Sequence, residues 1–305
     1  MRVALLLCLS TTVFAGPAPV VGGTSVPSGK WPDAVAIIGK LGTCSGTLIA
    51  PTIVLTAGHC SEIDAQQVIA NTTDYASQSG EHVNIKAFVA HPEWDTGTDV
   101  AIITLAKPIT DVKPRALGTA CTFADFTTEM PVELVGFGVT KSDGSGVNTK
   151  LNEATTLVID PDCSEGHGCR EIGGEFTAGG GGTDSCFGDS GGPVYRETGH
   201  GTILIGTVER GMNGSPTVCG GGGVYVRTDA IAEWVQATAG VAIALDDCAA
   251  QPQGDNSDDS VPPELSSDVA VDTATGGCAA SIHPSGLLLV LLFVLRVRRP
   301  AGSRT

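Results

Sequence analysis

Three short stretches of the chain carry residue types that suit hydrolysis by a hydroxyl nucleophile. "LTAGHC" brings in His59, "TDVAIITL" sets Asp99 before an apolar run, and "DSCFGDSGGP" places Ser190 among small residues. A serine hydroxyl is a poor nucleophile near neutrality and needs an adjacent base to take its proton. Histidine suits that task because it titrates near operating pH. A buried carboxylate behind the imidazole fixes its tautomer and stabilises the imidazolium as it forms. The three stretches therefore offer Ser190 as nucleophile, His59 as general base then acid, and Asp99 as orienting acid. Each alone has a plainer reading: a packed histidine, a turn at a strand start, a glycine-rich loop. His91 in "AHPEWD" competes for the base but lacks the flanking Cys and small residues, and Asp95 has no apolar strand directly after it.

Short strands must hold these groups. From about Val20 to Val241 the pattern is β-type runs separated by turn residues. "DAVAIIG", "SGTLIAPTIVLTA", "VNIKAFVA", "DVAIITLA", "PVELVGFG", "TILIGTVE" and "GGVYVR" are the clearest, and "VYRE" follows Pro193. Spaced short strands with Gly, Pro, Asn and Asp between them predict an all-β sandwich or barrel. "TDAIAEWVQATAG" differs, because Ile231, Trp234 and Val235 recur at helical spacing and Gly240 marks a stop.

The 305 residues carry 17 Lys+Arg against 33 Asp+Glu, a formal net charge of -16. Nucleic acid is thereby excluded as an expected partner, since phosphate binding needs clustered cations. Met1 and Arg2, the apolar run from Val3 to Leu9, and Val13-Phe14-Ala15 read as a secretory signal over residues 1–15. Cleavage after Ala15 removes Cys8, whose preceding Leu7 is too bulky for a lipid-attachment site. Export makes the remaining cysteines disulfide candidates. Of ten cysteines, setting aside Cys8 and Cys278 leaves an even set: Cys44, Cys60, Cys121, Cys163, Cys169, Cys186, Cys219 and Cys248.

Residues 246–277 are acidic, contain no Lys or Arg and hold few large apolar side chains, which predicts a disordered spacer. "LLLVLLFVLRVRRP" then brings an apolar run with Arg296, Arg298 and Arg299. The apolar part is shorter than the about 20 residues that span a bilayer comfortably. With Cys278, residues 278–305 resemble a myxobacterial-type C-terminal sorting signal, which implies processing and possible attachment to a membrane.

The three stretches together, in this order, resemble the His, Asp and Ser motifs of the chymotrypsin/trypsin family of serine proteases, from Val20 to about Thr238. The resemblance implies two six-stranded antiparallel β-barrels with a C-terminal helix and the site between the barrels. His59 and Asp99 would come from the first barrel, and Ser190 and Asp184 from the second. It implies an oxyanion hole from the N–H groups of Gly188 and Ser190, where glycine permits unusual backbone angles. It also implies activation, in which a freed Val20 ammonium in "VVGG" pairs with Asp189. Pro19 stands where relatives carry Arg or Lys, so trypsin-like self-activation is not expected. "Gly-Pro-Ala-Pro" over residues 16–19 parses as two X-Pro dipeptides, suited to trimming by a dipeptidyl peptidase.

For specificity, the resemblance puts Asp184 at the base of the primary pocket and Gly211 and Gly223 on its walls, which favours Arg or Lys substrates. "TVERG" departs from the usual Ser-Trp-Gly, so Arg210 could repel a basic residue or pair with Asp184. Cys44–Cys60 and Cys186–Cys219 match family bridges; Cys163–Cys169 is suggested by short separation, and Cys121–Cys248 remains. His167 in "CSEGHGC" invites a zinc reading, but the loop supplies no convincing fourth ligand, and no metal or cofactor is expected. The resulting expectation is a monomeric endopeptidase acting on polypeptides, secreted or at the cell surface (outer membrane), with its domain over residues 20–245. A catalytically silent binding module of the same fold, or an esterase using the same groups, stays open.

Overall fold

The computed structural model describes residues 19–170 and 174–249. The signal over residues 1–15, most of the 16–19 propeptide, almost all of the spacer and the 278–305 tail lie outside the described residues. Among those described, no helix is long and apolar enough to cross a membrane.

A two-residue strand, β1 (Thr24–Ser25), leads into β2 (Ala34–Gly39), β3 (Thr43–Ala50), β4 (Ile53–Thr56), β5 (Ala65–Ala70), β6 (Glu81–Ala90) and β7 (Ala101–Leu105). The last six close into a barrel in the order β2-β3-β4-β7-β6-β5. The second barrel uses β8 (Pro131–Gly136), β9 (Asn152–Asp160), β10 (Glu175–Ala178), β11 (Pro193–Thr198), β12 (Gly201–Gly211) and β13 (Gly223–Arg227). It closes through the β9–β8 pair, with β1 on its β9 edge. All these pairings are antiparallel, so the two six-stranded barrels expected from the resemblance are both present.

In the first barrel, β2, β4 and β7 are apolar at successive positions because both of their faces are covered. Val35 and Ile37 of β2, Leu48 of β3, Val54 of β4 and Ile103 of β7 fill the barrel interior. Their neighbours Ala34, Ala36, Ile49, Ile53, Leu55 and Ile102 join a second cluster with Leu204 and Val226 of the other barrel. Side chains alternate across a strand, so one run supplies both layers.

Asp33 is fully buried between the barrels. Arg115 Nε and Nη2 donate to its two oxygens at 2.9 and 2.6 Å, and the Tyr195 hydroxyl donates at 2.7 Å. Trp31 stacks on Tyr195 with ring centroids 4.6 Å apart. A charge so far from water is tolerable because each oxygen has a donor and a guanidinium neutralises it.

The C-terminal helix, Thr228–Ala239, buries Ile231, Val235 and Ala239, while Trp234 is partly buried and meets His91 at 5.0 Å. It stops at Gly240, which takes the left-handed conformation at φ 66°. The ordered chain then passes the 245 boundary expected from composition. The Asp246 N–H donates to Leu117 O at 2.7 Å, its carboxylate accepts from Thr122 Oγ1 at 2.7 Å, and Cys248 is bonded to Cys121. These local bonds outweigh the acidic composition that suggested disorder from residue 246. Cys44–Cys60, Cys163–Cys169 and Cys186–Cys219 are the other three bridges. Disulfides of this kind contribute about 2–4 kcal/mol each.

Candidate active site

Strand register brings the first two groups together. Thr56 closes β4 and Ala101 opens β7, and these residues are partners in the sheet. The chain just after β4 and just before β7 therefore occupies one end of the barrel. His59 lies there on the 3-10 helix Gly58–Ile63, and Asp99 lies opposite. Asp99 Oδ2 is 2.5 Å from His59 Nδ1, and Oδ1 accepts the His59 backbone N–H at 2.8 Å. With its Nδ1 proton directed to Asp99, the neutral ring keeps Nε2 as an acceptor.

Ser190 comes from the turn before β11. That turn is bonded to its own barrel, with Gly191 N–H to Val208 O at 2.8 Å, and also to the other barrel. Ser45 of β3 donates its N–H to Ser190 O and its hydroxyl to Gly188 O, both at 2.9 Å. Two glycines permit this packing. Gly188 has φ +95° and a Cβ there would stand 3.0 Å from Gly138 Cα; Gly191 has φ +77° and its Cβ would collide with Thr56 Oγ1. Both conformations favour glycine. Among the described residues neither the Gly188 nor the Ser190 N–H has an acceptor in the chain, so both remain available as donors.

His59, Gly188 and Ser190 open onto one cavity of about 460 Å³. Gly211, Val208, Ser185 and the Cys186–Cys219 bridge line it further, as do Thr43, Ile63, Phe187 and Val218. No hydrogen bond joins Ser190 Oγ to the His59 ring among the described residues; such contacts commonly tighten only around substrate. Asp184 lies behind this wall, 2% exposed. Its Oδ2 accepts the N–H groups of Gly220 and Gly222 at 3.1 Å each. Burial pushes its carboxyl up to about 6, against the pull of those N–H groups. Gly223 sits beside it, where a Cβ would come 3.2 Å from Asp184 Oδ1 and 2.7 Å from the Tyr225 hydroxyl.

Val20 is 1% exposed and packs in a cluster with Leu134, Phe176 and Tyr225. The next residue, Val21, accepts the Asp184 N–H at 3.0 Å. Asp189 is also buried, and accepts N–H bonds from Gly138 at 2.8 Å and Cys186 at 2.9 Å. Burial pushes its carboxyl up to about 7; those N–H bonds oppose the shift and the nearby Asp184 charge adds to it.

The family model described as Trypsin matches residues 20–235. The chain belongs to the trypsin family of serine proteases. It is 29% identical over 244 residues to chymotrypsin-like elastase family member 1 of Bos taurus, covering 72% of this chain and 88% of that protein. It is 30% identical over 239 residues to serine protease 56 of Mus musculus, covering 71% of this chain but 38% of that longer protein. Trypsin-family membership makes the chain a relative of hydrolases.

This trypsin-family cleft has a charge cluster along one side. Arg210 of β12 does not reach Asp184, the partner considered from the sequence. Its Nη1 donates to Glu175 Oε1 at 2.9 Å, and its Nη2 to Gly168 O at 2.5 Å and Glu175 Oε2 at 3.2 Å. Burial alone would raise the Glu175 carboxyl, but Arg210 and the Arg170 N–H hold it below its ordinary range. Glu209 is 4% exposed. Its Oε1 lies 3.1 Å from Arg170 Nη2 and touches Arg210 Nη1, yet neither oxygen has a well-formed hydrogen bond. Burial pushes its carboxyl up to about 9, with Arg210 opposing and Glu175 and Asp99 adding to the rise. The sequence flagged Glu209 and Arg210 as unusual but gave no sign of Arg170 and Glu175 as partners. Phe187 and Val218 were likewise missed, although Phe187 lies inside the serine motif itself.

Proposed function

We propose that the chain is a serine endopeptidase that cleaves polypeptides through an acyl-enzyme formed on Ser190. The observation that carries this reading is the double grip of Asp99 on His59, beside the cavity that His59 shares with Ser190. His59 takes the Ser190 proton as Oγ attacks the scissile carbonyl, and the imidazolium it becomes is stabilised by Asp99. The Gly188 and Ser190 N–H groups receive the developing oxyanion, an interaction worth roughly 10²–10³ in rate per donor. His59 then passes its proton to the leaving amine, and water repeats the sequence on the ester.

Asp184 behind the pocket supports cleavage after Arg or Lys, and the pairing of Arg210 with Glu175 leaves Asp184 without a competing guanidinium. The elastase named among the relatives points instead to a smaller side chain. A fluorophosphonate probe and a peptide panel decide these points together. The expected result is attachment at Ser190 and faster cleavage after Arg and Lys than after Phe or Ala. Absence of labelling would leave a silent binding module, labelling with ester but no peptide turnover would leave an esterase, and the reverse peptide order would overturn the Arg/Lys preference.

Activation belongs to the same proposal. Asp189, raised to about 7 by burial, is a carboxyl whose ionised form the interior disfavours. Such a group weakens the folded state as pH climbs from the ordinary carboxylate range toward that value, because the unfolded chain sheds its proton first. A Val20 ammonium freed by cutting after Pro19 would remove the penalty and hold the oxyanion loop. The active form is therefore expected to begin at Val20, and an active form that begins at Gly16 on N-terminal sequencing refutes this. Export, and attachment at the surface through the C-terminal residues, complete the proposal.

A further inference from the structure

The charge cluster beside the cleft reaches the catalytic carboxylate by a short path, and a role for it there rests on Ser190, His59 and Asp99 acting as a triad. Asp99 lies two residues past a tight turn in which the N–H groups of Trp94 and Gly97 donate to the carbonyls of His91 and Glu93 at 3.0 and 2.6 Å. The outward carbonyls of that turn are held from the other barrel. Arg170 Nη1 donates to Gly97 O at 2.6 Å and to Trp94 O at 3.2 Å. Arg170 is itself secured twice, by Glu209 Oε1 3.1 Å from Nη2 and by Glu175 Oε2, which accepts its backbone N–H at 2.7 Å. The Arg170 guanidinium thus links Glu209 of β12 to the turn just before Asp99 in the first barrel, while the Arg170 main chain is bonded to Glu175 of β10.

We propose that Arg170, anchored by Glu209 and Glu175, is a positioning residue that fixes Asp99 against His59. Glu209 Oε1 faces the guanidiniums of Arg170 and Arg210, so a carboxyl enclosed beside Glu175 is backed by two cations. A planar fork that grips two carbonyls and one carboxylate also restrains the turn in more directions than a lysine could. When a reacting group slips by about 1 Å, the rate can fall roughly 10²-fold.

The test uses the mature protein and its Arg170→Ala, Arg170→Lys and Arg170→Gln variants. Two rates are measured: labelling by a small fluorophosphonate, which needs the nucleophile, base and oxyanion donors, and hydrolysis of a peptide, which also needs the cleft. For Arg170→Ala, labelling and kcat are both expected to fall by about 10- to 100-fold with KM little changed. Arg170→Lys should fall between that variant and wild type, since it keeps the charge and loses the fork. If peptide hydrolysis falls while labelling stays within about twofold of wild type, the cluster only shapes the cleft and the proposal is overturned. Both rates unchanged would overturn it as well. Should Arg170→Ala fail to fold, Arg170→Gln, which keeps the length of the side chain but loses the charge and the fork, is read in the same way. A wild type that does not label defeats the triad reading itself, and its silence distinguishes that failure from this one.

Discussion

Replacing Ser190 by alanine is expected to lower kcat by roughly 10⁶-fold, the scale seen when a convergent Ser-His-Asp hydrolase loses its nucleophile. The substitution removes one oxygen and leaves the framework of the turn intact. Ser45 bonds to the backbone carbonyls of residues 188 and 190, and Gly191 and Gly192 make main-chain bonds, so none of these contacts depends on the hydroxyl. The variant should therefore unfold at nearly the wild-type temperature and still bind peptide with a similar dissociation constant. Hydrolysis measured at high enzyme concentration provides the check. A Ser190→Ala enzyme that retains more than about a tenth of wild-type kcat would mean that another group performs the attack.

Asp99→Asn comes next in size, with kcat falling about 10⁴-fold, as amidation of the orienting carboxylate does in the trypsin-family template. The geometry explains how so small a change does so much. Asn Oδ1 can still accept the His59 backbone N–H, now held at 2.8 Å, so the loop keeps its place. The amide NH₂ would replace Oδ2, now 2.5 Å from Nδ1. Facing a donor, Nδ1 must give up its proton, and the ring turns to the tautomer whose Nε2 already carries one. That ring cannot take the Ser190 proton. Thermal unfolding should move little while kcat collapses, and a loss of less than about tenfold would show that Asp99 does not set the tautomer.

Much of this site was legible because its chemistry is packed into contiguous words. "LTAGHC" and "DSCFGDSGGP" each contain both a proposed reacting group and the small residues that allow close backbone approach. The fold was readable where strands are covered on both faces, as in β2, β4 and β7, whose apolar runs are continuous. The runs that stood out did not include β5, β9 or β10. "AQQVIA" and "NEATTLVID" carry polar residues within the strand, several of them exposed or half-exposed, and "EFTA" is only four residues long. Groups assembled from distant positions left no local trace. Asp33, Arg115 and Tyr195 form one buried cluster although 82 residues separate the first two and 162 separate Asp33 from Tyr195. Arg170 and Glu175 are invisible for the same reason: each is an ordinary surface-type residue until the barrels close. Composition places the spacer from residue 246, while the buried Asp246 beside the Cys121–Cys248 bridge is a contact that composition does not register.

The bond between Cys121 and Cys248 has a mechanical corollary. Any pull applied to the polypeptide past residue 249 enters the domain at Cys248, and the covalent link passes it to Cys121 in the segment between the barrels. The terminal helix and the strand before it lie inside the 127-residue separation that this link closes, so drag on the end does not peel them away turn by turn. A molecule tethered by its end would carry load through sulfur before the load reached its terminal helix.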